Sequence, residues 1–190
     1  MVFAGDWKEA KTSRDVCLIG VKCNAKKSAR SGNPKVKAAF GRSGCYVFFQ
    51  ASEQGQTGRI YVGQTRYFDT RFNSYGGKNG KLKNEFANGI FVLIFRDSED
   101  TQYNEADLWH LEYLLIDHMK KFCWDHPHKL LNKKSGTPSV GKPSNHPAIK
   151  QDFDAILDAF DTELGLSFRK SGPGRTYMTL TCRPTKSTTQ

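Results

Sequence analysis

Two tyrosines lie next to glycines at the two ends of a stretch that reads as a β-hairpin. The phrases are GCY at 44–46 and YVG at 61–63, and the ASEQGQTG segment at 51–58 between them has the turn residues of a hairpin loop. The flanking runs, CYVFFQ and GRIYVGQ, have the β-branched and aromatic residues typical of strands. Pairing of these strands would bring Tyr46 and Tyr61 to one site. The alternative is that both rings only pack in a core.

A carboxylate and a guanidinium each lie on the apolar side of a predicted helix. Glu112 comes four residues after Leu108 and three before Leu115, so it shares the apolar stripe of that helix. A carboxylate on this stripe is costly unless a cation, a hydrogen-bond network or a solvent cleft compensates it. The alternative is that Glu112 lies at the rim of the core, with its carboxylate in water. Arg71 follows the inward side of a shorter helix, and its fork of donors suits a phosphate. An ion pair with Asp69, or solvent exposure, is the alternative.

Five phrases in order resemble the GIY-YIG nuclease family. They are GCY, YVG, TRYFDTRFNSY, LWHLEYLLI and HKLLN, and they lie between residues 44 and 132 of the 190. The resemblance implies a catalytic site made of Tyr46, Tyr61, Arg71, Glu112 and Asn132, with Glu112 as the metal ligand. We also expect phosphate or DNA contacts beside that site from Arg66, Tyr75, Lys133 and Lys134.

Three features depart from the family pattern, and the first is that Cys45 stands in place of the usual aliphatic residue, a mild change in a strand. Fourteen residues separate Tyr46 from Tyr61, so the hairpin loop is extended. Tyr75 stands where many members carry histidine, which argues against a histidine base at that position. Because one branch of the family has tyrosine there, the change does not by itself imply loss of activity.

The resemblance implies a role for each site residue in phosphodiester hydrolysis, which needs an in-line water, a proton acceptor and positive charge on the phosphate. Arg71 would neutralise the non-bridging oxygens, and Tyr61 and Asn132 would position phosphate or metal water. Tyr46 would orient the attacking water and accept its proton, which requires nearby cations to lower a phenol pKa that starts near ~10. One carboxylate, Glu112, with several waters suits Mg²⁺, or Mn²⁺ in its place, as a Lewis acid.

The expected function is therefore a metal-dependent endonuclease that hydrolyses phosphodiester bonds in DNA. The charge distribution agrees, because residues 1–43 hold ten Lys and Arg against three acids, and residues 165–190 hold five against none. Clustered basic charge suits a polyanion, since neutralised phosphates release counterions. Three alternatives stay open: an inactive nucleic-acid-binding module of the same fold, an RNA-directed nuclease, and basic flanks that serve only solubility.

The predicted fold is α+β, with a small central, mostly antiparallel sheet of about three strands flanked by helices. The third strand is GIFVLIFRD, an apolar run that reads as buried on both faces. We divide the chain into a basic N-terminal arm at 1–43, a nuclease-like core at 44–135 and a C-terminal part at 136–190. The last part is expected to hold an extra helix, a hairpin and a basic tail.

Cysteine usage and hydropathy indicate an intracellular protein without a membrane association. Five cysteines without regular spacing argue against a disulfide framework, and the first residues lack the apolar stretch of a secretory signal. No apolar run is long enough to span a bilayer. A homodimer would be the simplest way to cut both strands, but oligomeric state is left open. So is zinc binding by a group whose spacing matches no known zinc pattern: His118, Cys123, His126 and His128.

Overall fold

The computed structural model describes residues 7–22, 33–50, 58–76, 89–98, 101–125, 128–132 and 147–164. Six strands lie in these ranges: β1 (Trp7–Lys11), β2 (Val16–Lys22), β3 (Gly44–Gln50), β4 (Gly58–Thr65), β5 (Ile90–Arg96) and β6 (His128–Leu130). The same ranges hold four helices: α1 (Pro34–Phe40), α2 (Phe68–Gly76), α3 (Glu105–Asp125) and α4 (Pro147–Thr162).

The described strands form one open sheet in the order β1-β2-β5-β3-β4-β6. Four of its strand pairs are antiparallel, and only β4 and β6 run parallel. The α+β class and the mostly antiparallel sheet are thus confirmed, but the sheet has six strands rather than about three. Two of the extra strands, β1 and β2, come from the segment expected to be a basic arm, so part of that segment belongs to the sheet.

The sheet is covered by helices on both faces. Alternate residues of β3 point to opposite sides: Cys45, Val47 and Phe49 pack with α3 and α4, whereas Tyr46 and Phe48 pack with α1 and α2. Because both faces are covered, β3 and β5 are buried along nearly their whole length. This explains why both read as continuous apolar runs in the sequence. The predicted C-terminal helix is α4, and the predicted hairpin after it lies outside the described residues.

A buried acid joins α4 to the sheet. Asp152 is fully buried and accepts hydrogen bonds from Arg14 Nε at 2.7 Å, from Arg96 Nη2, and from the Tyr103 hydroxyl at 3.1 Å. Burial, and then the Asp152 charge, raise the pKa of the Tyr103 phenol, so this hydroxyl keeps its proton and donates. The two guanidinium groups compensate a carboxylate that would otherwise be costly to bury.

We expect Asp152→Asn to lower the free energy of unfolding by about 2 kcal/mol, because hydrogen bonds to a charged acceptor are weakened at a buried position. Urea denaturation of the variant and the wild type measures this. Asp154→Asn is the matched control, since it removes the same charge from an exposed position of the same helix. Equal losses in the two variants would contradict a stabilising role for the buried network.

The cysteines of the described ranges, Cys17, Cys45 and Cys123, are free thiols. Burial raises the pKa of the Cys17 and Cys123 thiols to about 11, and that of Cys45 well above its usual value. These three thiols are therefore protonated at neutral pH and poorly reactive. Of the helices that the structure describes, none has the length and apolar character needed to cross a bilayer.

Candidate functional site

The β3–β4 hairpin places the two tyrosines on the same face of the sheet. Tyr46 lies opposite Gly63, and Tyr61 lies opposite Phe48. The centroids of the two tyrosine rings are 6.3 Å apart. Tyr46 is wholly buried, whereas Tyr61 is half-buried. The structure thus brings together two phenols that are separated by fourteen residues in the chain.

In each of the two phrases the glycine is required, because another heavy atom lies close to where its Cβ would be. A Cβ on Gly63 would lie 2.3 Å from the Tyr46 hydroxyl oxygen, and a Cβ on Gly44 would lie 2.1 Å from the Ile94 carbonyl oxygen. Cβ atoms do not come so near to other heavy atoms, so alanine at either position would displace its neighbour. The phenol of Tyr46 therefore occupies space that exists because Gly63 has no side chain.

Helix α2 brings Arg71 to Tyr46. The helix is anchored by Phe68 and Phe72, which are buried in the aromatic core, and the Phe72 ring centroid is 5.3 Å from that of Tyr46. Arg71 as a whole is exposed rather than inward-facing, but its Nε donates a hydrogen bond to the Tyr46 hydroxyl at 3.1 Å. This bond fixes the orientation of the guanidinium plane at the edge of the core.

Glu112 approaches the same region from α3, on the other face of the sheet. It is half-buried, and burial raises the pKa of its carboxyl to about 7, while the charge of Arg71 lowers it in part. Burial is the main reason why the pKa of the Cys45 thiol is raised, and the Glu112 charge raises it further. The Glu112 carboxylate is therefore within electrostatic reach of both Arg71 and the first strand of the hairpin.

Asn132 holds the outer edge of β4. Its Oδ1 accepts from the Val62 N–H at 2.9 Å, and its Nδ2 donates to the Val62 carbonyl at 2.8 Å. The Leu131 N–H donates to the Ile60 carbonyl at 2.8 Å, so the amide of Asn132 extends the parallel pairing of β6 with β4. Asn132 thereby positions the backbone next to Tyr61, and a direct contact with phosphate stays a prediction.

The predicted DNA-contacting residues are only partly described. Arg66 is exposed, and its Nη2 forms an ion pair with Glu105 Oε2 at 2.6 Å. A phosphate would have to replace or share this carboxylate. The side chain of Tyr75 and both lysines, Lys133 and Lys134, lie outside the part of the chain that the structure describes.

The donor chemistry of Glu112 fits a hydrated magnesium ion. Within the described ranges, no group of three or more His, Cys, Asp or Glu side chains is placed to hold a metal. Mg²⁺ needs no such group, because it keeps several waters and is often bound through one or two carboxylates together with substrate phosphate. Glu112 could therefore serve as the ligand for Mg²⁺ or Mn²⁺.

Of the four residues whose zinc binding was left open, the structure describes the side chains of two. The His118 ring packs edge-on against Phe153, with centroids 5.8 Å apart, and Cys123 is half-buried. His126 and the side chain of His128 lie outside the described residues, so zinc binding stays an open question.

Sequence reasoning missed two features of this region. It treated Tyr67 only as part of a helix phrase, although the structure leaves its side chain 60% exposed. It also did not foresee that the amide of Asn132 bonds to the Val62 backbone. The helical spacing of Phe68 and Phe72, which leaves Tyr67 out of the apolar stripe, could have indicated the first, but the second depends on a pairing between distant segments.

The structure is that of an α+β protein with helices on both faces of its sheet, in which Tyr46 is hydrogen-bonded to Arg71 and the charge of Arg71 acts on the Glu112 carboxyl. Compared with models of protein families, with curated proteins and with solved structures, the chain has no match. A functional assignment therefore rests on the residues and their geometry.

Glu112→Gln should remove a loss of folding stability that grows as the pH rises. The carboxyl binds its proton more tightly in the folded protein, with a pKa of about 7, than in the unfolded chain, near 4.5. Stability therefore falls as the pH rises through this window, by about 3 kcal/mol at most. We expect the variant to be more stable than the wild type at pH 8 and similar at pH 4.

Urea denaturation at the two pH values measures this difference. Glu163→Gln, at an exposed position, is the control for loss of one negative charge. A stability difference between Glu112→Gln and the wild type that is the same at pH 4 and pH 8 would contradict the raised pKa.

Proposed function

We propose that the protein is a metal-dependent endonuclease of the GIY-YIG type that hydrolyses phosphodiester bonds in DNA. One observation carries the proposal: the hydrogen bond and the electrostatic coupling that link Tyr46, Arg71 and Glu112, which come from a strand and from helices on opposite faces of the sheet. Core packing explains the tyrosine rings, but it does not explain a half-buried carboxylate near a guanidinium that is bonded to a buried phenol.

Arg71 would bind a non-bridging oxygen of the phosphate. Its Nε is held by the Tyr46 hydroxyl, so the guanidinium is already oriented before a substrate arrives. A preoriented fork loses less side-chain freedom when it binds an oxyanion. Because negative charge builds up on these oxygens during the reaction, a fixed cation stabilises the transition state more than the ground state.

The two phenols would have different roles. Tyr46 is wholly buried and accepts a hydrogen bond from Arg71, so its role as proton acceptor requires that the attacking water reach that hydroxyl. Its positioning of Arg71 needs no such access. Tyr61 is half-buried on the same face and is the phenol nearer to solvent, which suits it to orient the water.

Glu112 would hold the divalent cation, and Asn132 would keep β4 in the register that presents Tyr61. When bound, Mg²⁺ or Mn²⁺ would supply Lewis-acid polarisation of the phosphate and a more acidic water. Since the pKa of the Glu112 carboxyl is about 7, protons compete with the cation for this group near neutral pH.

Incubation with supercoiled plasmid, linear duplex, branched DNA and RNA, each with Mg²⁺ and with EDTA, tests the proposal. We expect the protein to cleave at least one of the DNA substrates with Mg²⁺ and none with EDTA. Cleavage of RNA alone would favour the RNA-directed nuclease. Salt-dependent binding without any cleavage would favour the inactive nucleic-acid-binding module instead.

A further inference from the structure

An aromatic ring stands exposed beside the proposed site. Tyr67 lies in the turn between β4 and α2, and it is 60% exposed. Among the described residues, it is the large hydrophobic residue that is exposed to solvent. The next residue, Phe68, is fully buried. The chain therefore turns one aromatic ring into the core and the adjacent one into solvent.

The backbone of Tyr67 is fixed on both sides. The Thr65 hydroxyl accepts from the Tyr67 N–H at 3.2 Å and donates to the Tyr67 carbonyl at 3.0 Å. The same carbonyl accepts from the Arg71 N–H at 3.3 Å, and the Phe68 N–H donates to the Arg42 carbonyl at 3.2 Å. A ring mounted on a fixed backbone has only two side-chain angles to order when it binds a partner.

The ring also has cationic neighbours that suit a nucleic acid. Arg71 follows one helical turn later and is joined to Tyr67 through the backbone hydrogen bond, while its guanidinium contacts Tyr46. Arg66 precedes the ring and is exposed, and a phosphate would share or replace its ion pair with Glu105. Proteins that bind single-stranded nucleic acids combine cationic side chains along the phosphate backbone with aromatic rings on which the bases stack.

We propose that Tyr67 stacks on an unpaired nucleobase next to the phosphate that Arg71 binds. The inference rests on the proposed function and adds a substrate class to it: DNA with an unpaired nucleotide beside the cut. Bases inside a duplex are paired and stacked on both faces, so an unpaired base offers its face to a side chain at the lowest cost of unstacking. Stacking of one base on one aromatic ring corresponds to about tenfold in affinity.

Binding measured in EDTA tests this without requiring cleavage. The probes are two duplexes of one sequence, one fully paired and one with a single unpaired 2-aminopurine, which loses fluorescence when it stacks. We expect the wild type to bind the second duplex about tenfold more tightly and to quench its fluorescence. Tyr67→Ala should lose both the preference and the quenching, whereas Tyr67→Phe, which keeps the ring, should retain them.

Arg66→Ala serves as the charge control, because loss of a phosphate contact should weaken binding to both duplexes alike. Thermal unfolding of each variant checks that it is folded. Equal preference and quenching in the wild type and Tyr67→Ala would overturn the stacking role, and cleavage of DNA with Mg²⁺ would then still support the nuclease. A preference that Tyr67→Ala loses, without any cleavage by the wild type, would support the stacking role and contradict the nuclease.

Discussion

Glu112→Gln is expected to abolish divalent-dependent cleavage of DNA while binding of DNA survives. The substitution keeps the size of the side chain but removes the negative charge that is proposed to hold the cation. Binding should persist, because phosphate contacts come from cationic side chains rather than from this carboxylate. Cleavage assays with Mg²⁺, together with fluorescence anisotropy in EDTA, separate the two effects.

Glu163→Gln is the matched control, since it removes one negative charge at an exposed position outside the site. The wild type should also cleave faster as the pH rises through about 7, because deprotonation frees the Glu112 carboxylate for the cation. Full activity of Glu112→Gln would exclude the metal role of this residue, whatever the behaviour of the other site residues.

Arg71→Ala is expected to slow the chemical step by about 2–4 kcal/mol, which is roughly 30- to 1000-fold. The loss would fall on the transition state, because the guanidinium is proposed to face the charge that develops as the phosphate is attacked. Single-turnover kinetics at saturating protein measure this step separately from binding. Arg71→Lys is the informative control, since it keeps the charge but not the planar fork, and it should be intermediate.

Tyr46→Phe tests whether the hydrogen bond between the Tyr46 hydroxyl and Arg71 Nε orients the guanidinium. If it does, the rate effects of Tyr46→Phe and Arg71→Ala should be less than additive in the double variant. An unchanged single-turnover rate in Arg71→Ala would contradict the proposed role of Arg71 in catalysis. Additive losses would instead assign the two residues independent roles.

Strong local patterns made several elements predictable. The hairpin of β3 and β4 follows from β-prone runs around a Gly-rich loop, and β5 follows from an uninterrupted apolar run. Helices α3 and α4 follow from apolar residues at helical spacing. The predicted number of strands was wrong for two reasons. The apolar strand β2 falls in the segment that was assigned to a basic arm. Strand β1, with the sequence WKEAK, is mostly polar and β6 is only three residues long, so neither carries a periodic signal of its own.

The site was predictable to a different degree for each residue. The shared face of Tyr46 and Tyr61 follows from strand pairing, and the partial burial of Glu112 follows from its position in an apolar stripe. The hydrogen bonds of Asn132 to Val62 were not predictable, because they depend on the parallel pairing of segments far apart in the chain. The pKa of Glu112 depends in the same way on burial and on Arg71, a neighbour from another helix.

The most direct test of the proposed site is a crystal structure with Mn²⁺ and a DNA whose scissile phosphate resists cleavage, with the manganese located by its anomalous scattering. We predict a manganese peak at the Glu112 carboxylate, and an oxygen of the scissile phosphate of the same DNA bonded to the Arg71 guanidinium. DNA bound elsewhere on the protein, with no manganese at Glu112, would contradict the account.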